Sequence, residues 1–390
     1  MQKRFTPDAG GMFPEWEEVE FGKLFQRRSE KNGEEFGVDK TISVATMYFK
    51  PEGNKADEKS LPKYKVMRTG DIAFEGHINK HFKHGRFVLN DIGDGIISPI
   101  FEVLQPVSEL SKEVPGFWKY YINYEPVMGK ILAKCANTGI MMNRLAIKDF
   151  YKQKIKVPCI EEQRKIAAAL AAYDEMIAVK TAKLETWHEC KKRMVKEIFG
   201  RTKRFKDDDG REFPEWEEKT LGEVCKYGNT HKTGKNYINV ENMNKDFSGV
   251  TFLKPSLERK GIVYDIGDVL MSNIRPYLRK AWLADRGGVC DSDVLVFHLK
   301  NDADVDSTFL YYTIASSEFV KWAMIGARGT KMPRCDKQHL IEKRIFLPCI
   351  EEQQKIGSFL AEIDKEIEIQ KEFIKTYAEG KKRMMRELME

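Results

Sequence analysis

A chain of 390 residues exceeds one ordinary core and fits two domains. Its 66 basic residues against 60 acidic ones leave a net charge of +6, so the surface is mixed and any footprint for a polyanion has to be local. Seven cysteines with no C-x-x-C pair suit neither a zinc module nor a disulfide framework, no window approaches about 18 consecutive apolar residues, and the opening Met1-Gln2-Lys3-Arg4-Phe5-Thr6-Pro7 lacks the apolar run of a signal peptide; a cytoplasmic chain with no membrane contact is expected.

The first landmark is Phe13-Pro14-Glu15-Trp16-Glu17-Glu18, which reads as packing rather than chemistry, with Trp16 as an anchor. Gly70-Asp71-Ile72 then gives a turn and a short strand leading into a cationic stretch with Asn79, Lys80, His81, Lys83 and Arg86. His77, His81 and His84 would share one face of a helix and could ligate a metal there. The surrounding cations favour a basic loop, in which lysines bind phosphates and Asn79 and Arg86 reach base edges. Gly93-Asp94-Gly95 reads as a turn, residues 96–104 as β, and residues 117–122 as a short amphipathic helix. A second basic patch, Asn143 and Arg144, precedes Pro158.

From Pro158-Cys159-Ile160-Glu161-Glu162-Gln163 onward the pattern is helical. Ile166, Leu170, Tyr173, Ile177, Lys180, Leu184, Trp187, Lys191, Met194 and Ile198 alternate steps of four and three, the seam of a coiled coil. Acids in the first turn suit the helix dipole, and Gly200 is placed to end the helix.

The same landmarks then return. Phe213-Pro214-Glu215-Trp216 lies 200 residues after its first copy, and Pro348-Cys349-Ile350-Glu351-Glu352-Gln353 lies 190 residues after its own. The ends of the two halves are alike while their middles differ in length. Glu217-Glu218-Lys219 resembles part of a nuclease metal site, but Val19 stands at the lysine position of the first copy. Gly228 to Gly234-Lys235 fails as a phosphate cradle, having the wrong spacing and Asn236 where a hydroxyl is needed. Gly267-Asp268-Val269 repeats the turn-and-strand lead, followed by Asn273, Arg275, Tyr277, Arg279 and Lys280. Residues 294–299 read as a strand and 309–314 as a helix, and Arg328, Lys331 and Arg334 form the second basic patch before Pro348. Arginine pairs with guanine and asparagine with adenine through two hydrogen bonds, so these residue types are candidate DNA readers.

The second seam runs through Ile356, Leu360, Ile363, Ile367, Gln370, Ile374, Tyr377, Lys381, Met384 and Leu388. It is interrupted by polar residues at the same two places as the first, which is how register and partner choice are fixed in coiled coils. Each helix of about 40 residues would be about 60 Å long. The expected fold is α+β, two globular domains joined by two long antiparallel coiled-coil helices in a pseudo-two-fold tandem repeat. The divisions fall at 1–158 for the first domain, 159–200 for the central helix, 201–348 for the second domain and 349–390 for the last helix.

Pro158 with Glu162-Gln163 and Ile166, repeated as Pro348 with Glu352-Gln353 and Ile356, resembles the specificity subunit of type I restriction-modification systems. The Phe-Pro-Glu-Trp openings and the stretch at 267–278 are similar to that family's target-recognition domains; the first half carries Phe74-Glu75-Gly76-His77-Ile78 in place of the arginine-proline stretch. The resemblance implies two domains that each read one half of a bipartite, asymmetric double-stranded DNA target, with the helices setting the unread spacer. It further implies docking of two methyltransferase subunits and of restriction/translocase subunits. S-adenosylmethionine, ATP and magnesium would belong to those partners, leaving this chain without cofactor or catalysis. A self-contained DNA-modifying or cleaving enzyme and a coiled-coil protein scaffold are the competing readings.

Overall fold

The computed structural model describes residues 4–50, 58–139, 142–252, 258–301 and 303–389. It divides into two compact units, Met1–Lys180 with Phe373–Glu390, and Thr181–Glu372. The compact units therefore cut across the linear division read from the sequence, since each takes one globular portion and about half of each long helix.

In the first unit a strand Glu17–Glu20 pairs antiparallel with Lys154–Val157, the outward residues charged and Val19 facing Ile155 on the buried side. This alternation is what a strand with one covered face requires. A four-stranded antiparallel sheet follows, in the spatial order Phe25–Arg27, Glu102–Pro106, Ile72–Glu75, Arg86–Leu89. The helix Pro115–Tyr121 begins on proline, whose fixed φ suits a first helical position, and buries Phe117, Trp118, Tyr120 and Tyr121 against that core. The β-like run at 96–104 is two strands, Gly95–Ile97 and Glu102–Pro106, divided by a turn that Phe101 closes with a backbone bond to Ser98.

The second unit repeats the scheme. Glu217–Thr220 pairs with Arg344–Leu347, and the four-stranded order is Cys225–Tyr227, Val294–Leu299, Val269–Ser272, Ala281–Leu283. Its helix Ser307–Ile314 is capped by Asp306, which accepts from the amide of Phe309. The second unit also has a three-stranded sheet of His231–Gly234, Arg259–Tyr264 and Gly288–Cys290, with its own core around Ile238, Tyr264 and Trp282, where the first unit has the two-stranded sheet Lys65–Met67 with Gly95–Ile97.

The two seams form helices Ile160–Phe199 and Ile350–Met389, each 40 residues long. In the first unit Ile166 and Leu170 share a core with Leu388 and Met389, and Tyr173 meets Tyr377 edge-on at 6.4 Å. Ile177 and Ile374 are half-buried, and the Lys180 ammonium lies 4.4 Å from the centre of the Phe373 ring. In the second unit Met194 and Ile198 pack with Ile356, Leu360, Ile363 and Ile367, and Leu184 and Trp187 lie against the same core. Within each unit the two helix segments run antiparallel. Gln370, a seam interruption, is buried. Among the described residues no helix is long and apolar enough to cross a membrane.

The duplicated motifs are joined by a brace. Arg4 donates from Nε and Nη2 to Glu162 at 3.0 and 2.6 Å and from Nη2 to the Pro14 carbonyl, while the Trp16 indole donates to the same carboxylate at 3.1 Å. Arg204, Glu352, Pro214 and Trp216 repeat it, with the Trp216 indole 3.0 Å from Glu352. Gln163 and Gln353 each donate back to the carbonyl of their own proline, Pro158 or Pro348. The second glutamate of each helix opening is thus a buried tie-point as well as a first-turn acid. At the end of the first helix the left-handed residue is Arg201, φ 58°, rather than Gly200; its guanidinium lies 3.8 Å from the centre of the Phe346 ring.

Candidate nucleic-acid interface

In the first unit the strand Ile72–Glu75 leads into an irregular arm, residues 76–85, which returns as Arg86–Leu89. The arm is not a helix, so His77, His81 and His84 do not share a helical face. Among the described residues no group of three or more His, Cys, Asp or Glu side chains could hold a metal. Asn79 shapes the arm, its Oδ1 accepting from the amides of His81 at 2.8 Å and Phe82 at 3.1 Å. Arg86 is also occupied. It donates to the Ala45 carbonyl at 2.5 Å, lies over the Phe82 ring, and stands 3.5 Å from the buried Glu75 carboxylate, which His77 also touches. Lys80, His81 and Lys83 remain exposed.

The second basic patch comes to the root of this arm. Asn143 donates its amide to the Gly76 carbonyl at 2.9 Å, on a small hairpin of Ala136–Asn137 with Arg144–Leu145. A Cβ on Gly76 would stand 2.1 Å from the Asn143 carbonyl oxygen, so the approach admits only glycine. Asn143 is 4% exposed, whereas Arg144 is open to solvent. The sequence reading gave both residues base-reading roles; the structure buries the asparagine in the junction and leaves the arginine outside.

The second unit has the corresponding junction. Arg275 donates its amide to the Pro333 carbonyl at 2.7 Å, the Cys335 amide reaches the Asn273 carbonyl at 2.9 Å, and Arg328 and Arg334 exchange backbone bonds across a tight hairpin. Arg275 and Arg279 both adopt left-handed backbone, flanking the turn Pro276–Leu278. For residues other than glycine that conformation costs on the order of 1 kcal/mol each, which is characteristic of segments shaped for a task. Tyr277 is thereby held out, 49% exposed.

Here too some expected readers serve the fold. Asn273 is 3% exposed. Lys280 donates to the Val240 carbonyl at 2.6 Å, and burial pushes its ammonium below the usual lysine value. Arg279 lies over Phe247 and reaches Ser317 Oγ at 3.3 Å. Arg334 pairs with Asp293 at 2.7 Å and Arg328 with Asp336 at 3.2 Å, yet both guanidiniums stay largely open to solvent. Lys331 and Met332 are exposed beside them. Sequence reasoning missed Asp293, Asp336 and Met332; the glycine and proline of 329–333 were the available signal for a hairpin.

The remaining chemical candidates do not assemble. Gly234 ends a strand rather than opening a helix, so the stretch from Gly228 lacks the cradle that phosphate needs. Glu217 and Glu218 lie on an exposed strand, with Lys219 3.5 Å from Glu217. Trp16 and Trp216 are anchors, packed edge-on against Tyr121 and Phe309 respectively.

The profile of the type I restriction modification DNA specificity domain matches residues 102–186 and 214–376, more than half of the chain. The type I restriction enzyme MjaVIII specificity subunit of Methanocaldococcus jannaschii is 27% identical over 319 residues, covering 76% of this chain and 73% of that one. Among solved structures, the type I restriction-modification S subunit from M. genitalium superposes with a TM-score of 0.60 at 14% identity, covering 99% of both chains. A chain from a structure describing complex assembly and conformational transition of the type I R-M system gives 0.55 at 19% identity, covering 97% of this chain and 98% of that one. Both superpositions are likenesses of fold.

Proposed function

The chain belongs to the family of type I restriction modification DNA specificity domains, and we propose that each of its two units reads one half of a bipartite, asymmetric double-stranded DNA target. The observation that carries this reading is the repeated junction, in which a strand-following arm is bonded to a hairpin and the pair presents exposed cations. In the first unit these are Lys80, Lys83 and Arg144 with His81; in the second they are Arg328, Lys331 and Arg334 beside Tyr277. The lysines contact phosphates and fix position, while arginines with open guanidiniums address base edges in the major groove. Arg86, Arg275, Arg279, Lys280, Asn79, Asn143 and Asn273 shape the two surfaces. The arms differ in residue content, which supports two unlike half-sites and a target without palindromy.

In this reading the chain contributes recognition and no catalysis. Two methyltransferase subunits dock on the duplicated frame, one for each unit, and restriction/translocase subunits join them. S-adenosylmethionine, ATP and magnesium are held by those partners. The helix pair sets the unread spacer between half-sites.

The test is methylation-site sequencing of DNA from cells carrying this chain with its methyltransferase partner, against cells lacking the chain. A bipartite adenine-methylated motif with a fixed gap and unlike halves is expected. A palindromic motif, or one in which exchange of the first unit's arm and hairpin changes both halves, overturns the reading.

A further inference from the structure

Lys191 and Lys381, one of the two pairs of polar positions in the helix seams, belong to two matching three-group junctions. In the first unit Lys381 donates from Nζ to Asp174 Oδ1 at 2.5 Å, the Tyr120 hydroxyl donates to Asp174 Oδ2 at 2.8 Å, and the lysine lies 4.6 Å from the centre of the tyrosine ring. In the second unit Lys191 donates to Asp364 Oδ1 at 2.5 Å, the Tyr312 hydroxyl to Asp364 Oδ2 at 2.8 Å, and the lysine lies 5.4 Å from that ring centre. Both lysine–aspartate pairs are related by the 190-residue displacement of the repeat. Each aspartate uses one oxygen per donor.

The three members come from three bodies. Tyr120 lies on the helix Pro115–Tyr121 and Tyr312 on Ser307–Ile314, both in globular portions, while the aspartate and lysine lie on the two long helices. The tyrosines are buried, and burial with the neighbouring aspartate holds each phenol above its ordinary pKa, as a committed donor. We infer that these two junctions are positioning elements that lock each reading unit onto the helix pair and so restrict the gap between half-sites to one length. The inference rests on the DNA-reading role proposed above.

The argument is one of directionality. Apolar seam contacts, such as those of Leu170 and Leu360, are non-directional and survive a slide of an ångström or so. A hydrogen bond starting at 2.5–2.8 Å is lost by about 3.5 Å. Base-pair steps are about 3.4 Å apart, so a contact that fails within about 1 Å of slide is lost well before a unit has shifted by one step. The lysines are about one-fifth exposed and the aspartates about one-third, so the pairs are partly screened and their value lies in geometry more than in stability.

Two double variants test this, Lys191→Leu with Lys381→Leu, which keeps an apolar seam, and Tyr120→Phe with Tyr312→Phe, which removes only the hydroxyls. Binding is measured on duplexes carrying both half-sites at the wild-type gap and at gaps one and two base pairs shorter or longer, and on duplexes carrying one half-site. Single-half-site affinity is expected to stay within about twofold, while preference for the wild-type gap over its neighbours falls at least fivefold. A loss of affinity equal at all gaps, or an unchanged gap profile, overturns the inference. Independently of DNA, spin labels at Lys80→Cys and Lys331→Cys, in a chain with Cys159, Cys190 and Cys349 changed to serine, report the spread of distances between the two arms. The Leu and Phe variants are expected to broaden that spread, and wild-type width in both overturns the locking role. A wild-type chain that binds no duplex overturns the DNA reading and the gap restriction with it, whereas the label distances still decide whether the junctions lock.

Discussion

Arg204 pairs with Glu352 across 148 residues of sequence, its Nη2 2.9 Å from a carboxylate that has no exposed surface. The same guanidinium takes the Pro214 carbonyl, so one side chain ties the Phe-Pro-Glu-Trp opening to the first turn of the helix Ile350–Met389. Removing the arginine leaves a buried carboxylate that still accepts from the Trp216 indole and the Phe205 amide but has lost its paired charge. Arg204→Ala is expected to destabilise the second unit by about 3–5 kcal/mol, the usual cost of breaking a buried pair. Replacing Glu352 by Gln in the same chain should recover part of that loss, because no buried charge remains. Urea unfolding of the single and double variants checks both outcomes; equal stability of Arg204→Ala and wild type would remove the brace from the account of the fold.

The repeat made the frame legible. Recurrence of Phe-Pro-Glu-Trp and Pro-Cys-Ile-Glu-Glu-Gln, with a seam stepping by four and three, led to two long helices and two globular portions, and the structure has both; the pairing of Glu17–Glu20 with Lys154–Val157 and of Glu217–Thr220 with Arg344–Leu347 was not read from it. Arg4 and Arg204 were also repeated, at the same 200-residue displacement, but a single cation gives no sequence sign that it is buried against a distant carboxylate. The candidate site was legible by region and less so by residue. Composition placed cations and asparagines in two stretches of each half, and the structure bonds those stretches to each other, yet Asn143, Asn273 and Lys280 turned inward. Each does so through its surroundings: a glycine close against Asn143, a backbone bond from Cys335 to Asn273, a carbonyl of Val240 over Lys280.

Gly76 is where the arm and the hairpin of the first unit meet. A methyl group there would meet the Asn143 carbonyl oxygen at 2.1 Å, a backbone atom that cannot rotate away. Gly76→Ala is expected to force the arm from the hairpin at a cost of about 1–3 kcal/mol, as overpacking does. With the matching methyltransferase present, methylation specificity should be lost or relaxed at one half-site only. Relaxation at both halves would contradict the assignment of this junction to one unit.

The exposed cations and the structural ones should separate by salt dependence. Each phosphate neutralised contributes a slope of about −0.9 in log affinity against log salt concentration. Lys331→Ala and Lys83→Ala are each expected to reduce the magnitude of that slope by about 1, with little change in melting temperature. Lys280→Ala should instead lower stability, since its Nζ is committed to the Val240 carbonyl. Tyr277→Ala, at an exposed position between two left-handed arginines, is expected to weaken binding without altering the slope, because it removes apolar contact and no charge.

Asp94, in the Gly93-Asp94-Gly95 turn, predicts a pH dependence. Its carboxylate accepts from the Thr69 amide at 2.8 Å, the Thr69 hydroxyl at 3.0 Å and Arg68 Nη1 at 3.2 Å. The Thr69 amide is the largest influence, and together these donors hold the carboxyl below its ordinary value of 3.8. A carboxyl lowered in the folded chain contributes stability above its unfolded pKa and loses it as pH falls through the folded one. The advantage of wild type over Asp94→Asn is therefore expected to be full near pH 6, to shrink from about pH 4 downward, and to vanish once the native carboxyl is protonated. Thermal unfolding of both chains between pH 6 and pH 3 measures it. The residue is only partly buried, so solvent screening keeps the effect small, and a gap between the two chains that widens on acidification would show that the Thr69 and Arg68 bonds do not favour the ionised form.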